Sequence, residues 1–461
     1  MKFLQKTQRT VMLLLKVLLF FILFATFFVF FGIENEWLLR LSRTAAVTML
    51  TFVVLGSALM SIYGGYSVGI TKSKPIIYSM TLSTVFTDIV THLQLCIMNT
   101  NAANNQKFQY EHPLLLLLVM FIQILVIIFF AYFGNFVYFS INSPEKCCVI
   151  TTSKYSLNNI VPKIKKYKKQ YLITDAILFT NPDLFDIINR CDTVFVYDVP
   201  AASRTTIVEY CYANNKNIYY NFEMCDVVSL RGKNAMLDDK PMIASTVKGL
   251  TVEQRIMKRA MDLFVSTVGL IITSPIMLAC AIAIKAEDGG SVFFKQKRAT
   301  KDGKIFKVYK FRTMKEKNSI NKSVTEDDDR ITKVGKILRK FRIDELPQII
   351  NIFKGEMSVV GPRPEMIENV DEYTQALPEF SYRLRVKAGL TGLAQIAGKY
   401  NTSPKDKLVL DLMYIEKYSI WQDISLSSRR LRYSLKPTTA QRHSTTATAT
   451  SFSPRTSLPS L

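Results

Sequence analysis

The sequence predicts an α/β membrane protein, with an N-terminal four-helix transmembrane bundle, a Rossmann-like α/β domain and a C-terminal α/β domain that carries one more membrane-associated helix. Three observations lead to this fold class. Apolar residues crowd into four blocks before position 142, strand and helix patterns alternate after them, and a fifth apolar block lies in the C-terminal half. The predicted regions are 1–145, 146–245, 246–426 and a tail of 427–461.

The composition favours a membrane protein over a nucleic-acid-binding protein. The chain has 461 residues, a formal net charge of +22 and 49% hydrophobic residues. A basic chain could hold nucleic acid or lie on an anionic membrane, but the apolar blocks favour the membrane, so we expect no nucleic-acid partner. The seven cysteines are odd in number and lack metal-ligand spacing, which excludes a complete disulfide framework and fits a reducing cytoplasm. No histidine lies in the candidate chemical region, so histidine-based catalysis is not expected.

The four N-terminal blocks are each long enough to span a bilayer, which needs about 20 apolar residues. The blocks are 11–32, 45–70, 78–98 and 113–140. Lys2, Lys6 and Arg9 precede the first span and Lys146 follows the last, so the positive-inside rule places both ends in the cytoplasm. The third block contains Asp88 and His92, which we expect to face the bundle interior, with a transport role as the alternative.

Residues 146–245 alternate strand and helix patterns, as an α/β domain does. The segments CCVITT, DAILFT, DTVFVYDV and NIYYNF have the composition of strands. The turn after the first of them, TTSKYS, has no Gly-rich phosphate loop, so a dinucleotide site is not supported. We expect a structural or regulatory module here.

The fifth apolar block, 264–284, is interrupted by Ser274-Pro275 at its middle, where proline removes a helix hydrogen bond. Lys258 and Arg259 flank one end and Lys285 the other, and both ends are expected at cytoplasmic headgroups. Two interpretations remain open at this point: a kinked helix that spans the membrane, and a helix that enters, breaks and returns.

The tail from Ser427 onward has no acidic residue and no apolar periodicity. This composition predicts disorder. Because the change after WQDISL is abrupt, a frameshifted or artificial end is a second hypothesis, which resequencing of the coding DNA would test.

Several short motifs between 286 and 400 suit the handling of phosphates. KQKRATKDGKIFKVYKFRTM combines the cations Arg298, Lys310 and Arg312 with an aromatic strand, and GPRP holds Arg363 between two prolines. KAGLTGLAQIAGK supplies glycines that allow close backbone approach to a ligand. The basic segment alone could equally be a solvated hairpin or a face against anionic lipid.

RKFRIDELPQ contains the adjacent acids Asp344 and Glu345. One could be a carboxylate nucleophile and the other a ligand of Mg²⁺, since neighbouring side chains on a helix point in different directions. Arg339 and Arg342 are expected to lower the pKa of both acids. The alternative is a pair of helix-start acids, with Pro347 in the first turn.

These motifs resemble the bacterial sugar transferase family, whose members are monotopic polyprenyl-phosphate phosphoglycosyl transferases. The similar segments are KRAMD at 258–262, the Ser274-Pro275 break, KFRTM, DDDRITKVGKILRKFRIDELPQIINIFKGEMSVVGPRP at 327–364, and KAGLTGLAQIAGK. The four spans and the α/β domain are similar to the long members of this family. One departure is Ala299-Thr300 after Arg298, where the family usually has a glycine two residues beyond the arginine.

The resemblance implies a two-step reaction at the acid pair. Asp344 would attack the sugar-proximal phosphate of a UDP-sugar and release UMP, and undecaprenyl phosphate would then accept the phosphosugar. Glu345 matches the family's Mg²⁺ ligand. The matched phosphate- or nucleotide-binding positions are Arg339, Arg363, Lys310, Arg312 and Arg298. Ser274-Pro275 matches the break of a re-entrant membrane helix, at about 262–285.

The resemblance also implies the cellular context: the bacterial inner membrane, with the catalytic domain on the cytoplasmic face and a lipid bilayer as partner. The product would start exopolysaccharide, capsule or O-antigen synthesis, and a homodimer is possible. The alternative function is a non-catalytic membrane scaffold or regulator of polysaccharide assembly, which would have no need of the acid pair. The residues do not identify the sugar.

Overall fold

The N-terminal region is a bundle of four long helices with a one-turn helix after the first. The computed structural model describes residues 8–69, 71–100, 107–245, 249–315, 330–398 and 402–434. The bundle consists of α1 Gln8–Glu34, α2 Glu36–Leu39, α3 Arg43–Tyr63, α4 Ser73–Met98 and α5 Pro113–Ile141. Within the described ranges, five helices are long and apolar enough to cross a membrane: the four long ones here and Val252–Asp288 further along. Each predicted apolar block therefore contributes one long helix, although the helix of the second block ends at Tyr63, before the predicted end at 70.

The bundle interior is partly polar along α4. Asp88 is fully buried and His92 is 1% exposed, so both residues face the bundle interior, as predicted. Gln123 of α5 approaches this face, with its Nε2 atom 3.4 Å from Asp88 Oδ1, and donates a hydrogen bond to the carbonyl of Leu23 at 3.0 Å. These contacts tie three of the helices together.

The region after the bundle is an α/β domain built on a parallel sheet in the order β2-β1-β3-β4. Its strands are β1 Glu145–Thr151, β2 Tyr171–Leu178, β3 Thr193–Tyr197 and β4 Asn217–Tyr220; its helices are α6 Lys154–Lys165, α7 Leu184–Arg190, α8 Ala201–Ala213 and α9 Met224–Ser229. Parallel strands that alternate with helices confirm the predicted α/β character. Cys147 and Cys148 are buried on β1. In the turn after β1, the Oγ atom of Ser153 caps α6 by accepting a hydrogen bond from the amide of Ser156 at 3.2 Å.

The C-terminal region follows a small antiparallel hairpin, β5 Lys233–Leu237 and β6 Lys240–Ala244. Its elements are α10 Val252–Asp288, β7 Phe293–Ala299, β8 Ile305–Phe311, α11 Lys333–Lys340, α12 Gln348–Lys354, β9 Ser358–Val360, α13 Ile367–Ala376, β10 Gly389–Thr391, α14 Leu393–Ala397, α15 Pro404–Glu416 and α16 Ile420–Ser434. The strands pair as an antiparallel hairpin, β7 with β8, and as a parallel pair, β9 with β10. The core between β9 and α15 includes the fully buried rings of Phe380 and Tyr414.

The first turns of α10 are fixed to the C-terminal region by buried polar contacts. Lys258 is 6% exposed and donates to Asp423 at 2.6 Å and to the carbonyl of Val360 at 2.9 Å. Arg259 donates to the carbonyl of Ile352, at the end of α12, at 2.8 Å. The expected position of Lys258 at the headgroups is therefore wrong, because its charge is neutralised inside the domain.

The last turns of α10 also contact the C-terminal region. Glu287 accepts hydrogen bonds from the amides of Lys333 and Val334, at 2.7 and 3.2 Å, and so caps the start of α11. Asp288 pairs with Arg312 at the end of β8. Between these ends α10 is a continuous helix with Pro275 inside it.

The last described helix corrects the predicted start of disorder at Ser427. Helix α16 continues through this position, so 427–434 are helical, whereas 435–461 lie outside the described residues. One reason is a contact with a distant segment, since Arg430 bonds to Glu345 at 2.6 Å. Tertiary contacts of this kind stabilise a short helix whose composition alone favours disorder.

Candidate active site

The acid pair lies in a tight turn between α11 and α12. Arg342 takes the left-handed backbone conformation, with φ of 56°, which is uncommon for a residue with a side chain. It redirects the chain after α11, so that Ile343–Glu345 form a single 3₁₀ turn. Helix α12 begins directly after Pro347, where the sequence places the proline at a helix start.

Three cations surround the carboxylate of Glu345. Its Oε2 atom accepts from Arg430 Nη2 at 2.6 Å, and its Oε1 atom lies 3.5 Å from Arg363 Nη2 and 3.9 Å from Lys310 Nζ. The Glu345 side chain is only 15% exposed, so water screens these charges weakly. The site therefore concentrates positive charge around the acid pair.

The three cations come from elements that are far apart in the sequence. Lys310 is near the end of β8, Arg363 lies in the turn that follows β9, and Arg430 is on α16. Of the three, Arg363 has the most exposed side chain, at 44%, which leaves its guanidinium accessible to a ligand.

Glycines hold the turn that carries Arg363 against β10. A Cβ atom added to Gly389 or Gly392 would collide with the backbone of Gly361, the first residue of GPRP. The amide of Gly361 also donates to the carbonyl of Thr391 at 2.8 Å. The close approach expected toward a ligand is thus an approach of two protein segments, and it sets the position of Arg363.

The two acids differ in their pKa. Burial raises the pKa of Asp344 above its usual value, and the charge of Glu345 adds to this increase, although Lys310 and Arg339 oppose it. Burial acts on Glu345 in the same direction, but the surrounding cations, Arg363 foremost, outweigh it and lower the pKa. The expected lowering is therefore confirmed for Glu345 and wrong for Asp344, where burial dominates.

Two of the other predicted arginines bond to groups around the site. Arg339 donates through Nε to Thr313 Oγ1 at 2.9 Å, and its charge acts on Asp344. Arg298 donates to the carbonyl of Pro364 at 3.2 Å, the last residue of GPRP, and to Gln296 at 2.7 Å. Arg298 thus braces the turn that carries Arg363.

Arg312 is held away from the acid pair. Its side chain is 7% exposed, and its two Nη atoms form a bidentate ion pair with the carboxylate of Asp288. Its Nε atom donates to the carbonyl of Ser291 at 2.6 Å. The structure therefore brings Arg312 to the end of α10 rather than to Glu345.

Sequence reasoning missed Arg430, because it assigned the segment after Leu426 to a disordered tail. One signal could have found it: Asp423, Leu426 and Arg430 stand three and four positions apart, the spacing of one helix face. The first two are buried, so the same face brings Arg430 onto the domain.

The donor set at the acid pair fits a magnesium ion. Mg²⁺ is commonly held by one or two carboxylates, with substrate phosphates and water completing the shell. Among the residues that the structure describes, no group of three or more His, Cys, Asp or Glu side chains could hold a metal. Of the two Glu345 oxygens, Oε1 is the more available to a metal ion, because its nearest cations are at 3.5 and 3.9 Å, whereas Oε2 has Arg430 at 2.6 Å.

Comparisons with known proteins point to one family. The family described as bacterial sugar transferase matches residues 253–436. The UDP-glucose:undecaprenyl-phosphate glucose-1-phosphate transferase of Escherichia coli is 41% identical over 179 residues, which are 37% of this chain and 39% of that protein. The exopolysaccharide production protein ExoY of Rhizobium meliloti is 39% identical over 184 residues, 36% of this chain and 80% of that protein.

A third relative extends the similarity beyond the C-terminal region. The galactosyl transferase CpsE of Streptococcus agalactiae is 29% identical over 350 residues, 68% of this chain and 77% of that protein. By contrast, the matches to the relatives from Aeromonas hydrophila, Escherichia coli and Klebsiella pneumoniae span 43%, 39% and 41% of those proteins. The matched region contains the acid pair, GPRP and all three cations, and ExoY is matched over most of its length. The chain therefore belongs to the bacterial sugar transferase family.

Proposed function

We propose that this protein transfers a sugar 1-phosphate from a UDP-sugar to undecaprenyl phosphate, and so starts an exopolysaccharide, capsule or O-antigen repeat unit. The supporting observation is the acid pair in its ring of cations, with Arg430 at 2.6 Å, Arg363 at 3.5 Å and Lys310 at 3.9 Å from Glu345. The name of the Escherichia coli relative specifies a UDP-sugar and undecaprenyl phosphate as substrates. The identity of the sugar stays open.

In the first proposed step, a carboxylate oxygen of Asp344 forms a bond to the sugar-proximal phosphorus of the UDP-sugar. The bond from that phosphorus to the bridging oxygen breaks, and UMP leaves with the electron pair. The half-buried 3₁₀ turn supports this role, because it fixes the backbone of Asp344 where the charges of Lys310 and Arg339 act on its carboxylate.

In the second step, a phosphate oxygen of undecaprenyl phosphate bonds to the same phosphorus, and the Asp344 carboxylate leaves. The product is the diphosphate-linked lipid, and the enzyme returns to its starting state. In each step one phosphorus–oxygen bond forms and one breaks, so the two steps need no external oxidant, reductant or proton donor.

The cations would neutralise the transferring phosphoryl group, whose charge must be stabilised in phosphoryl transfer. Arg363 is the best placed for this role, since its exposed planar guanidinium can donate two hydrogen bonds to phosphate. Lys310 and Arg339 would add charge beside Asp344, and Arg298 would hold the Arg363 turn. Arg312 would act through its ion pair with Asp288.

A bound Mg²⁺ would supply charge neutralisation on the phosphates, with Glu345 as its protein ligand. The contact of Arg430 with Oε2 would fix the rotamer of Glu345 and leave Oε1 available to the ion.

We also propose that α10 enters the membrane, changes direction at Ser274-Pro275, where the sequence predicts a break, and returns to the same side. A straight helix of its 37 residues would be about 55 Å long. A spanning helix would place its ends on opposite faces of a hydrocarbon core about 30 Å thick. Here Lys258 near one end and Glu287 near the other bond to the same domain. The exposed apolar side chains between them, such as Ile272, would lie in lipid.

This topology can be tested with a membrane-impermeant maleimide on oriented vesicles, in a Cys225→Ser background. Glu253→Cys and Ala286→Cys lie at the two ends of α10 and should react from the same, cytoplasmic side. Lys107→Cys, between α4 and α5, is the control and should react from the opposite side. Labelling of Glu253→Cys and Ala286→Cys from opposite sides would show a spanning helix.

The bundle helices α1, α3, α4 and α5 would each cross the bacterial inner membrane, with the C-terminal domain on the cytoplasmic face. Four crossings put the α3–α4 connection on the side of the N-terminus. Two contacts support this side for the other domains: Ser425 of α16 donates to the carbonyl of Ile62 at 3.0 Å, and Gln170 of the α/β domain donates to the carbonyl of Gly69.

A homodimer is part of the same proposal, and mass photometry in nanodiscs would test it.

The proposed reaction is tested by UMP release from a panel of UDP-sugars in the presence of undecaprenyl phosphate and Mg²⁺. Asp344→Asn should abolish UMP release and the mass increase of the covalent phosphosugar, while membrane insertion persists. Asp371→Asn removes an exposed carboxylate of the same domain and should be fully active. Full activity of Asp344→Asn would refute the nucleophile assignment, and an inactive wild-type protein with every sugar would favour the scaffold alternative.

A further inference from the structure

A cavity of about 870 Å³ opens at the N-terminal end of α10, away from the acid pair. Its volume is in the range of small-molecule sites. Arg259 lines it and donates to the carbonyls of Ile352 and Phe353, at the C-terminal end of α12. Asp344 precedes the other end of this helix, whose seven residues rise by about 10 Å. The cavity is therefore a separate place in the domain.

Basic side chains outnumber acidic ones in the lining of the cavity. Its six basic side chains are Arg255, Lys258, Arg259, Lys301, Arg385 and Lys387, against three acidic ones. One of these acids, Asp262, is bonded to Ser358 and to the amide of Val359, both at 2.9 Å. Among the cations, Lys258 is paired with Asp423, whereas Lys301 and Arg385 lie further from their acidic partners, at 3.4 Å from Asp302 and 3.7 Å from Glu416. Burial and then the charge of Arg259 lower the pKa of Lys387, as expected where cations are crowded.

The start of α10 adds to this positive field. Thr251 caps the helix, and the positive end of a 37-residue helix faces the cavity lined by Val252 and Glu253. Apolar side chains complete the lining, and the next exposed residues, Ile256 and Met257, lead toward the segment proposed to enter lipid. The cavity thus joins a cationic wall to an apolar rim.

We propose that this cavity binds a phosphate-bearing anion, supplied either by the headgroup of an anionic phospholipid or by a soluble phosphate compound. Cationic side chains that converge on one cavity and an adjacent helix start are the donors that phosphate oxygens require. The lipid source rests on the proposed membrane position of α10, whereas the soluble source does not. Binding from either source does not require sugar-phosphate transfer, so the binding measurement can succeed or fail independently of the UMP-release assay.

The test uses the full chain in nanodiscs and a triple variant, Arg255→Gln, Lys301→Gln and Arg385→Gln. Two of these residues make long contacts with their acidic partners: Lys301 lies 3.4 Å from Asp302 and Arg385 lies 3.7 Å from Glu416. Lys258, Arg259 and Lys387 instead donate to buried or backbone groups at 2.6 to 2.8 Å. The control removes the same charge from exposed sites on the α/β domain and the β5–β6 hairpin: Lys154→Gln, Lys233→Gln and Lys240→Gln.

One arm compares thermal unfolding in nanodiscs of phosphatidylcholine alone and with one third phosphatidylglycerol. The other arm titrates inorganic phosphate, then pyrophosphate, into phosphatidylcholine nanodiscs by calorimetry. We expect a saturable effect in at least one arm for wild type and control, and at least about a tenfold weaker effect for the cavity variant, since a charge-assisted hydrogen bond is commonly worth a factor of ten or more.

Stabilisation by phosphatidylglycerol alone identifies a lipid headgroup, and saturable binding in the phosphate arm identifies a soluble phosphate compound. The proposal is overturned if wild type responds in neither arm. It is also overturned if cavity variant and control lose the response equally, because the effect would then be one of net charge.

Discussion

Replacement of Lys258 by Met should destabilise the C-terminal domain strongly, since this buried cation joins three distant segments. Its Nζ atom donates to Asp423 at 2.6 Å, to the carbonyl of Val360 at 2.9 Å and to Tyr414 Oη at 3.0 Å. The paired side chains of Lys258 and Asp423 are 7% and 0% exposed. The variant would therefore leave Asp423 as a buried charge without its cation.

Removal of one partner from a buried ion pair costs about 3–5 kcal/mol. We expect a loss of this size in the free energy of unfolding of the domain. The double variant Lys258→Met/Asp423→Asn should unfold closer to wild type, because neutral Asn can still accept the hydrogen bond that Tyr414 donates at 2.8 Å. UMP release should fall in the single variant as well, because Val360 precedes the Arg363 turn and Asp423 is on the helix that carries Arg430.

The sequence offers a direct assay for this loss. The chain contains two tryptophans, so Trp37→Phe leaves Trp421, two positions before Asp423, as the remaining fluorophore. Urea titration of this background in detergent can be followed by the anisotropy of tryptophan fluorescence, which falls when α16 unfolds even though the Trp421 side chain is 69% exposed in the folded state. Lys417→Met removes an exposed lysine of the same region and should change stability by less than about 0.5 kcal/mol. A loss for Lys258→Met no larger than the Lys417→Met effect would refute the buried ion pair.

Three further predictions concern the acid pair and its support. Arg430→Met should lower kcat/KM for the UDP-sugar about tenfold to a hundredfold, the equivalent of one charge-assisted hydrogen bond of about 1.5–3 kcal/mol; wild-type kinetics would show that the contact with Glu345 is dispensable. Gly389→Ala should impair folding and UMP release, because its Cβ would meet the backbone of Gly361, whereas Gly249→Ala, with its nearest atom at 3.9 Å, should behave as wild type. EDTA should stop UMP release and Mg²⁺ or Mn²⁺ should restore it; full turnover in EDTA would exclude the proposed metal.

The sequence alone was sufficient for the features that depend on local pattern. Four long apolar blocks became four long helices, and alternating strand and helix patterns became a parallel α/β sheet, because periodicity and apolar length report each segment's own environment. The turn that holds Asp344 and Glu345 is also local, since Pro347 marks the start of the helix that follows it. The motifs that resemble the family surround these two residues in the sequence, so they single out the same two acids as candidate site residues.

The tertiary structure decided which cation meets which acid. Lys258, expected at the headgroups, pairs with Asp423, 165 positions away, and Arg312, expected at the phosphates, pairs with Asp288. Arg430, expected in a disordered tail, bonds to Glu345. The physical reason is that a long cationic side chain carries no local mark of its partner: its partner is set by how segments distant in sequence pack, and periodicity does not record that packing.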